Sequence, residues 1–405
     1  MLTNDVGVSG MSNGVLRDEA LGQALASLFD AASRTDPGDV LALVEVVCEV
    51  VGSRCGRLYV ADYGLRSLQQ FSPTGENGES QPIEGTLAGR AFASCEIVGL
   101  GPGDTTLWVP LTDGAERIGV IELVFDNVGP VVRELLDPVI AAFVLLLVTR
   151  ARYSDRWNRV RRSEPLSPAA EAQWSLLPPL ACTTEHVAIA GILEPAYEIG
   201  GDSFDYAMND HRLDFAIVDA VGHGMSAVLM SAAAINSIRN VRREEGDLPM
   251  AYRQTDAVIE GHFGNCFYVT GHIGTLDVST GILRWVNAGH ALPMLVRNGT
   301  YAGELECRPS TPMGLGGTVV EVGSVELQRG DRVLFYTDGI TESRSPDGSL
   351  FGTDRLADFV VRSTLDRVPV AETVRRLSAN VVSYVGAGLR DDATLLLIEY
   401  LGHGD

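Results

Sequence analysis

Positive charge is what this sequence has least of. Its 405 residues carry 31 Lys plus Arg against 53 Asp plus Glu, a formal net charge of -22. The phosphate backbone of a nucleic acid would be repelled by such a chain, so no nucleic-acid partner is expected. Paired cysteines are absent as well: Cys48, Cys55, Cys95, Cys182, Cys266 and Cys307 are scattered, with no Cys-x-x-Cys spacing. That pattern fits neither a zinc site nor a disulfide framework, and points to reduced thiols in a cytoplasmic protein. Long apolar runs are missing. The opening stretch MLTNDVGVSGMSNG has neither the basic region nor the apolar core of a signal peptide. The most apolar segment, PVIAAFVLLLVT at 138–149, falls well short of the ~20 residues a spanning helix requires. It reads as a buried or dimer-forming helix, and no membrane partner is expected. G-x-S-x-G occurs once, as Gly10-Met11-Ser12-Asn13-Gly14 in the opening stretch with no apolar strand before it, and neither a P-loop G-x-x-x-x-G-K-[ST] nor H-E-x-x-H occurs. This speaks against an activated serine on a strand-to-helix turn, a phosphate-cradling loop and a zinc hydrolase.

What remains is ordinary globular material, 45% hydrophobic and 21% charged, long enough for two domains. Residues 1–14 read as a flexible leader. From 15 to 150 the pattern is helix, strands, helix, with RLYVADY, TLWVPLT and RIGVIELVF as strands and SPTGENGES as a loop. This suggests a compact α+β domain. The stretch 151–183, with Arg152, Arg156, Arg159, Arg161 and Arg162 following Arg150, reads as a helical linker whose arginines form a solvated face. Residues 184–405 form the second domain. There VAIAGIL, RLDFAIVDA, NCFYVTGHIGTLD, GILRWVNAG, RVLFYTDG and ATLLLIEY are strands, and helical patterns cover 224–242, 249–263, 353–364 and 370–385. The third and fourth strands meet at Ser279-Thr280-Gly281, a hairpin signal. A mostly antiparallel sheet system flanked by helix pairs is the expected architecture.

Four acidic residues in that domain share one context, an apolar strand beside a carboxylate and a tight-turn residue. Asp202 follows Gly200-Gly201, Asp219 ends DFAIVD, Asp338 ends VLFYTD before Gly339, and Asp391 precedes the last strand together with Asp392. Any one alone would be read as a turn residue or helix cap. Four together suit hard cations, which want oxygen ligands and retained waters. Two such ions about 4 Å apart can activate a water for in-line attack on phosphorus.

IGGDSFDY, VDAVGHGMSAVLMSA, WVNAGHALPML, PMGLG, VLFYTDGITES, FGTDRL and LRDDATLLLI occur in that order. In this they resemble the PPM-type metal-dependent serine/threonine phosphatases, most closely the SpoIIE/RsbU-like branch, whose entry segment AQWSLLPPL also resembles. The resemblance implies an αββα sandwich and two Mn2+ or Mg2+ ions. It assigns metal binding to Asp202, Asp219, Asp338 and Asp391, with Asp219 bridging both ions and Ala220 offering its carbonyl. It leaves Asp205 and Asp392 as neighbours in supporting or turn roles. Two departures stand out. The broader family's phosphate-gripping Arg has no counterpart, since Glu194 to Gly201 contain no Arg or Lys. His223 lies four residues past Asp219, which makes it a helix-start residue rather than a general acid, and His290 reads as structural.

IEGTLAGRAFAS followed by WVPLTDGAERIGVIELVF resembles a GAF domain, a small sensory module, with Cys95 read as a buried packing residue. The whole is therefore expected to be a cytoplasmic, homodimeric phosphatase acting on a phosphorylated regulatory protein, of anti-anti-sigma type by resemblance. Two other readings stay open: a catalytically silent phosphatase fold that senses and docks a partner, and a phosphoesterase acting on a small metabolite.

Overall fold

A computed structural model describes residues 8–72, 78–99, 101, 105–128, 130–198, 200–264, 266–386, 388–389 and 391–402. The chain divides into two units, residues 1–163 and 164–405. The boundary falls inside the stretch 151–183.

The first unit runs α1 (Val8–Arg34), α2 (Val40–Val51), β1 (Cys55–Ala61), β2 (Ser67–Gln70), β3 (Ser80–Pro82), α3 (Leu87–Ser94), β4 (Thr106–Asp113), β5 (Glu116–Val124), α4 (Pro130–Ala151) and α5 (Asp155–Val160). Helix α2 shows why such segments form. The Asp39 carboxylate accepts from the Ala42 amide at the start, and Gly52 closes the end with φ 71°. Between the caps Val40, Leu43, Val44, Val47 and Val51 form one buried stripe. The strands make a single antiparallel sheet in the order β3-β2-β1-β5-β4. Leu58, Leu107 and Leu123 of the sheet share a core with Leu28, Val47, Leu136 and Phe143 of the helices. The apolar run 138–149 lies inside α4, where Phe143, Val144 and Leu147 are buried and Leu145 is 60% exposed. Among the described residues, no helix is long and apolar enough to cross a membrane.

Three expectations change here. Residues 8–14, read as leader, belong to α1, while part of the loop SPTGENGES, residues 73–77, lies outside the described residues. The arginines of 150–162 are not simply a solvated face. Arg150 is buried and donates to the carbonyls of Ala32, Thr35 and Asp36 at the end of α1. Arg156 donates to Gly38 and Ser72, and Arg161 donates to Ala61 and lies 4.4 Å from the Tyr63 ring centre. A guanidinium satisfies several carbonyls that helix and strand ends leave unpaired, which is why these side chains turn inward. Cys95 is exposed rather than buried, because it ends α3 in a left-handed conformation, φ 54°.

The second unit runs α6 (Pro168–Leu176), β6 (Ala181–Thr183), β7 (Val187–Glu194), β8 (Asp202–Asn209), β9 (Arg212–Ala220), α7 (Met225–Arg243), α8 (Leu248–Phe263), β10 (Val269–Asp277), β11 (Ile282–Ala288), β12 (Met294–Arg297), β13 (Thr300–Glu304), β14 (Gly323–Glu326), β15 (Arg332–Tyr336), α9 (Asp338–Thr341), α10 (Gly352–Leu365), α11 (Val370–Val385) and β16 (Ala393–Tyr400). Two antiparallel sheets result, β14-β11-β10-β9-β8 and β13-β12-β15-β16-β7-β6. Helices α7 and α8 cover the first sheet and α10 and α11 the second. The sheets face each other through contacts such as Phe215 on Phe335, ring centres 4.8 Å apart. This is a four-layer αββα sandwich. The all-apolar run of β7 is buried at every position but its polar end Glu194 is too, as expected for a strand covered on both faces. The expected hairpin is present: Asp277 pairs with Ile282, and the Asp277 carboxylate accepts from the Ser279 and Thr280 amides.

Candidate metal centre

The four aspartates reach one end of the sandwich by different routes. Asp202 heads β8 rather than ending a strand, and it pairs directly with Asp219 near the end of β9, so both side chains leave the same face of the sheet. Asp338 is the first residue of α9, one residue beyond β15 and its neighbour Thr337, and Asp391 stands just before β16. The first sheet thus carries two of the aspartates, and the segments after β15 and before β16 carry the other two. Close backbone approach is needed to bring them together. A side chain at Gly201 would collide with the Ala220 carbonyl, and one at Gly339 with the Asp392 carbonyl.

A cavity of about 300 Å3 lies between these elements, walled by Asp219, Ala220, Thr270, His290, Asp338 and Asp391, among others. Asp202 is not on that wall. It is buried, and its Oδ2 accepts from Thr337 Oγ1 at 2.8 Å and Thr394 Oγ1 at 2.7 Å. Burial holds the Asp202 carboxyl well above the usual range, with Asp219 and Asp392 adding to the effect and the two threonines opposing it. For Asp219, burial comes first and the charges of Asp338, Asp391 and Asp392 follow; the pKa is pushed up to about 7, against a hydrogen bond from Thr270.

The neighbours of this cluster have defined tasks. Asp392 accepts from the Gly200 amide at 2.9 Å and the Asp202 amide at 3.4 Å, which ties the glycine turn to the start of β16. His290 contacts Thr270 Oγ1 at 2.9 Å through Nδ1, and burial lowers its pKa to about 4. Among the described residues its Nε2 has no partner at hydrogen-bonding geometry, although the Tyr336 carbonyl lies near enough to favour the charged form slightly. His272 bonds the Ala291 carbonyl, and burial, helped by His290, lowers it to about 3. His223 is exposed on the turn before α7. Asp205 lies away from the cavity inside β8, paired with Arg239 at 2.7 Å and Arg242 at 2.8 Å of α7. A turn role for it does not hold. Gln173 of α6 is fully buried and donates to the Asp202 carbonyl, so the AQWSLLPPL segment braces the strand that begins at Asp202.

Sequence reading did not single out Thr270, Thr337, Thr394 or Gln173. Thr337 and Thr394 each interrupt an apolar strand, in VLFYTD and ATLLLI, and a lone hydroxyl there was the available signal.

The donor set can be tested against a divalent cation. Three carboxylates line one cavity together with Ala220, the carboxylates being hard oxygen donors, and burial first, then the neighbouring charges, raises Asp219. That chemistry fits Mn2+ or Mg2+ and not a soft-ligand metal. Among the described residues, no three His, Cys, Asp or Glu side chains stand close enough to hold an ion as they are.

Comparison with known proteins follows the same unit. Residues 209–401 match the family model described as Stage II sporulation protein E (SpoIIE). Phosphoserine phosphatase RsbP of Bacillus subtilis is 26% identical over 181 residues, covering 43% of this chain and 44% of RsbP. Phosphoserine phosphatase RsbU of the same organism is 23% identical over 239 residues, 57% of this chain and 68% of RsbU. The chain therefore spans less than half the length of RsbP. Among solved structures, the SiaA-PP2C domain of Pseudomonas aeruginosa aligns with a TM-score of 0.49 at 23% identity, over 57% of this chain and 94% of that one. The second unit is similar to SpoIIE-type phosphatase domains.

Proposed function

We propose that this chain is a divalent-metal-dependent phosphatase that hydrolyses phosphoserine or phosphothreonine on a regulatory protein. One observation carries the reading: Asp219, Asp338 and Asp391, from β9 and the segments after β15 and before β16, wall one cavity beside Ala220. Two Mn2+ or Mg2+ ions bound there would offset phosphoryl charge and acidify an attacking water. The chain's own residues do the holding. Asp219, Asp338, Asp391 and the Ala220 carbonyl present oxygens; Thr270 orients Asp219; Thr337 and Thr394 orient Asp202; Asp392 fixes the turn between them. The similarity to RsbP and RsbU supports phosphoserine as the substrate class, and an anti-anti-sigma-like protein as its bearer.

The first unit is assigned a GAF-like sensory role and a homodimer contact, on its motifs and its five-stranded antiparallel sheet covered by helices. A cytoplasmic location fits the six free cysteines of the whole chain. A catalytically silent docking protein is the second reading, favoured by the spread of the acidic side chains. The deciding experiment is turnover of a phosphoserine peptide with Mn2+, then with excess chelator, then with Mn2+ restored. Activity lost and recovered in step is expected. Turnover in excess chelator would overturn the metal mechanism, and no turnover in any condition would favour the silent reading.

A further inference from the structure

A phosphoryl dianion approaching this cavity meets carboxylates on its wall, and the turn leading to Asp202 offers no cation, since Glu194 to Gly201 contain neither Arg nor Lys. A second cavity of about 230 Å3 adjoins the first and shares Asp391 with it; Gly339, Glu342, Ser343, Arg344 and Val385 complete its wall. Arg344 is exposed and forms no ion pair among the described residues, although Glu342 and Asp391 share its cavity. Its one described bond is Nη1 to the Gly348 carbonyl at 3.1 Å, which leaves most of the five guanidinium donors uncommitted.

The loop that carries it is built to hold position. Ser343 Oγ bonds the Gly339 carbonyl at 2.6 Å, directly beside Asp338. Arg344 pairs with Leu350 across a tight turn closed by Ser345 and Ser349. Tyr384 Oη of α11 bonds the Ser349 and Leu350 carbonyls at 3.1 and 3.0 Å, and Arg355 of α10 bonds the Leu350 and Phe351 carbonyls at 2.7 and 3.0 Å. Two helices therefore pin the loop from outside, and a rigid loop loses little entropy on meeting a ligand. An unpaired guanidinium on a fixed loop, one carboxylate away from the metal wall, is placed to take a phosphoryl group bidentately.

Resting on the phosphatase reading above, we infer that Arg344 is the substrate-binding residue that grips the phosphoryl oxygens of the incoming phosphoserine, in place of the arginine missing ahead of Asp202. The test compares wild type, Arg344→Ala and Arg344→Lys at saturating Mn2+, each checked for an unchanged melting temperature. Arg344→Ala is expected to raise KM for a phosphoserine peptide and the inhibition constant of inorganic phosphate ten- to hundredfold, the range of a charge-assisted bond. Arg344→Lys should recover part of both, and Mn2+ affinity measured by calorimetry should stay at the wild-type value. Unchanged KM and phosphate inhibition in a folded Arg344→Ala protein would overturn the assignment, as would an equal loss of Mn2+ affinity. If wild type shows no turnover, the phosphatase reading fails, and calorimetry of inorganic phosphate with Mn2+ present still judges Arg344: weaker binding to Arg344→Ala supports it, equal binding or none to wild type overturns it.

Discussion

Replacing Asp338 by Asn, in protein stripped of divalent metal, is expected to stabilise the second unit increasingly as pH rises, while cutting turnover by orders of magnitude. The argument starts from Asp219, whose pKa goes from 3.8 to about 7 through burial first and the charge of Asp338 second. A shift of that size is on the order of 4 kcal/mol. Its sign follows from proton binding. The unfolded carboxyl ionises near 3.8 while the folded one keeps its proton to about 7, so stability falls as pH rises through that window and the full cost is present above it. His272 and His290 act the other way. Their folded pKa values of about 3 and about 4 lie below the unfolded 6.5, so they cost stability as pH falls from 6.5 towards 4. Together they amount to roughly 8 kcal/mol once pH has fallen below both values, so on the acid side they oppose the trend set by Asp219. The Asp338 effect therefore shows only in the difference between variant and wild type, where the histidines cancel. Assigning about a quarter of the Asp219 shift to Asp338 gives ~1 kcal/mol at pH 8, or roughly 2–4 °C in Tm for a unit of this size. Asp338 also begins α9, and losing its charge there costs about 0.3–1 kcal/mol at every pH where it is ionised. The two effects separate by slope. Calorimetry from pH 5 to pH 8 in chelator, paired with phosphopeptide turnover in saturating Mn2+, reads both. A stability difference that does not grow with pH would show that Asp338 is only a helix-start residue, and near-wild-type turnover would refute the metal assignment with it.

Asp205→Ala should destabilise the second unit by about 3–5 kcal/mol, measured by urea unfolding, because Arg239 and Arg242 are left without their buried partner. A loss below about 1 kcal/mol would mean that the pair is not held in solution. Deleting residues 1–163 should leave residues 164–405 with a cooperative melt but altered kcat or KM, and identical kinetics would remove any regulatory role for the first unit in vitro.

The architecture of the second unit was legible because its signals are periodic. Helices expected at 224–242, 249–263, 353–364 and 370–385 appear as α7, α8, α10 and α11, each carrying an apolar stripe at helical spacing. The strands that escaped notice, β6, β8, β12, β13 and β14, are short or carry polar residues. TYAGE and GSVE have half-exposed faces and no apolar alternation, so their pairing is decided by the neighbouring strands rather than by their own residues. The same limit explains α9, four residues long and below any periodic signal.

The site divides along a similar line. A carboxylate where an apolar strand meets a glycine or another tight-turn residue is a local pattern, and the four aspartates were read from it. What each aspartate does is not local. Asp202 and Asp219 share a context in sequence, yet one is locked between two threonines contributed by β16 and the residue after β15, while the other faces a cavity. Thr394 is 192 residues from Asp202 and Thr337 is 135, so nothing near either residue announces the contact. The arginines of 150–162 repeat the lesson. A run of like charge on a helical stretch reads as a solvated face, but Arg150 finds the open carbonyls at the end of α1, more than 110 residues earlier. Chain order supplies the donors and acceptors; only the closed fold decides which of them meet. Arg344 is where this matters most. By its neighbours in sequence it is one exposed arginine in a serine-rich turn, and only the approach of Asp391 from the far end of the chain makes it a candidate for the phosphoryl group.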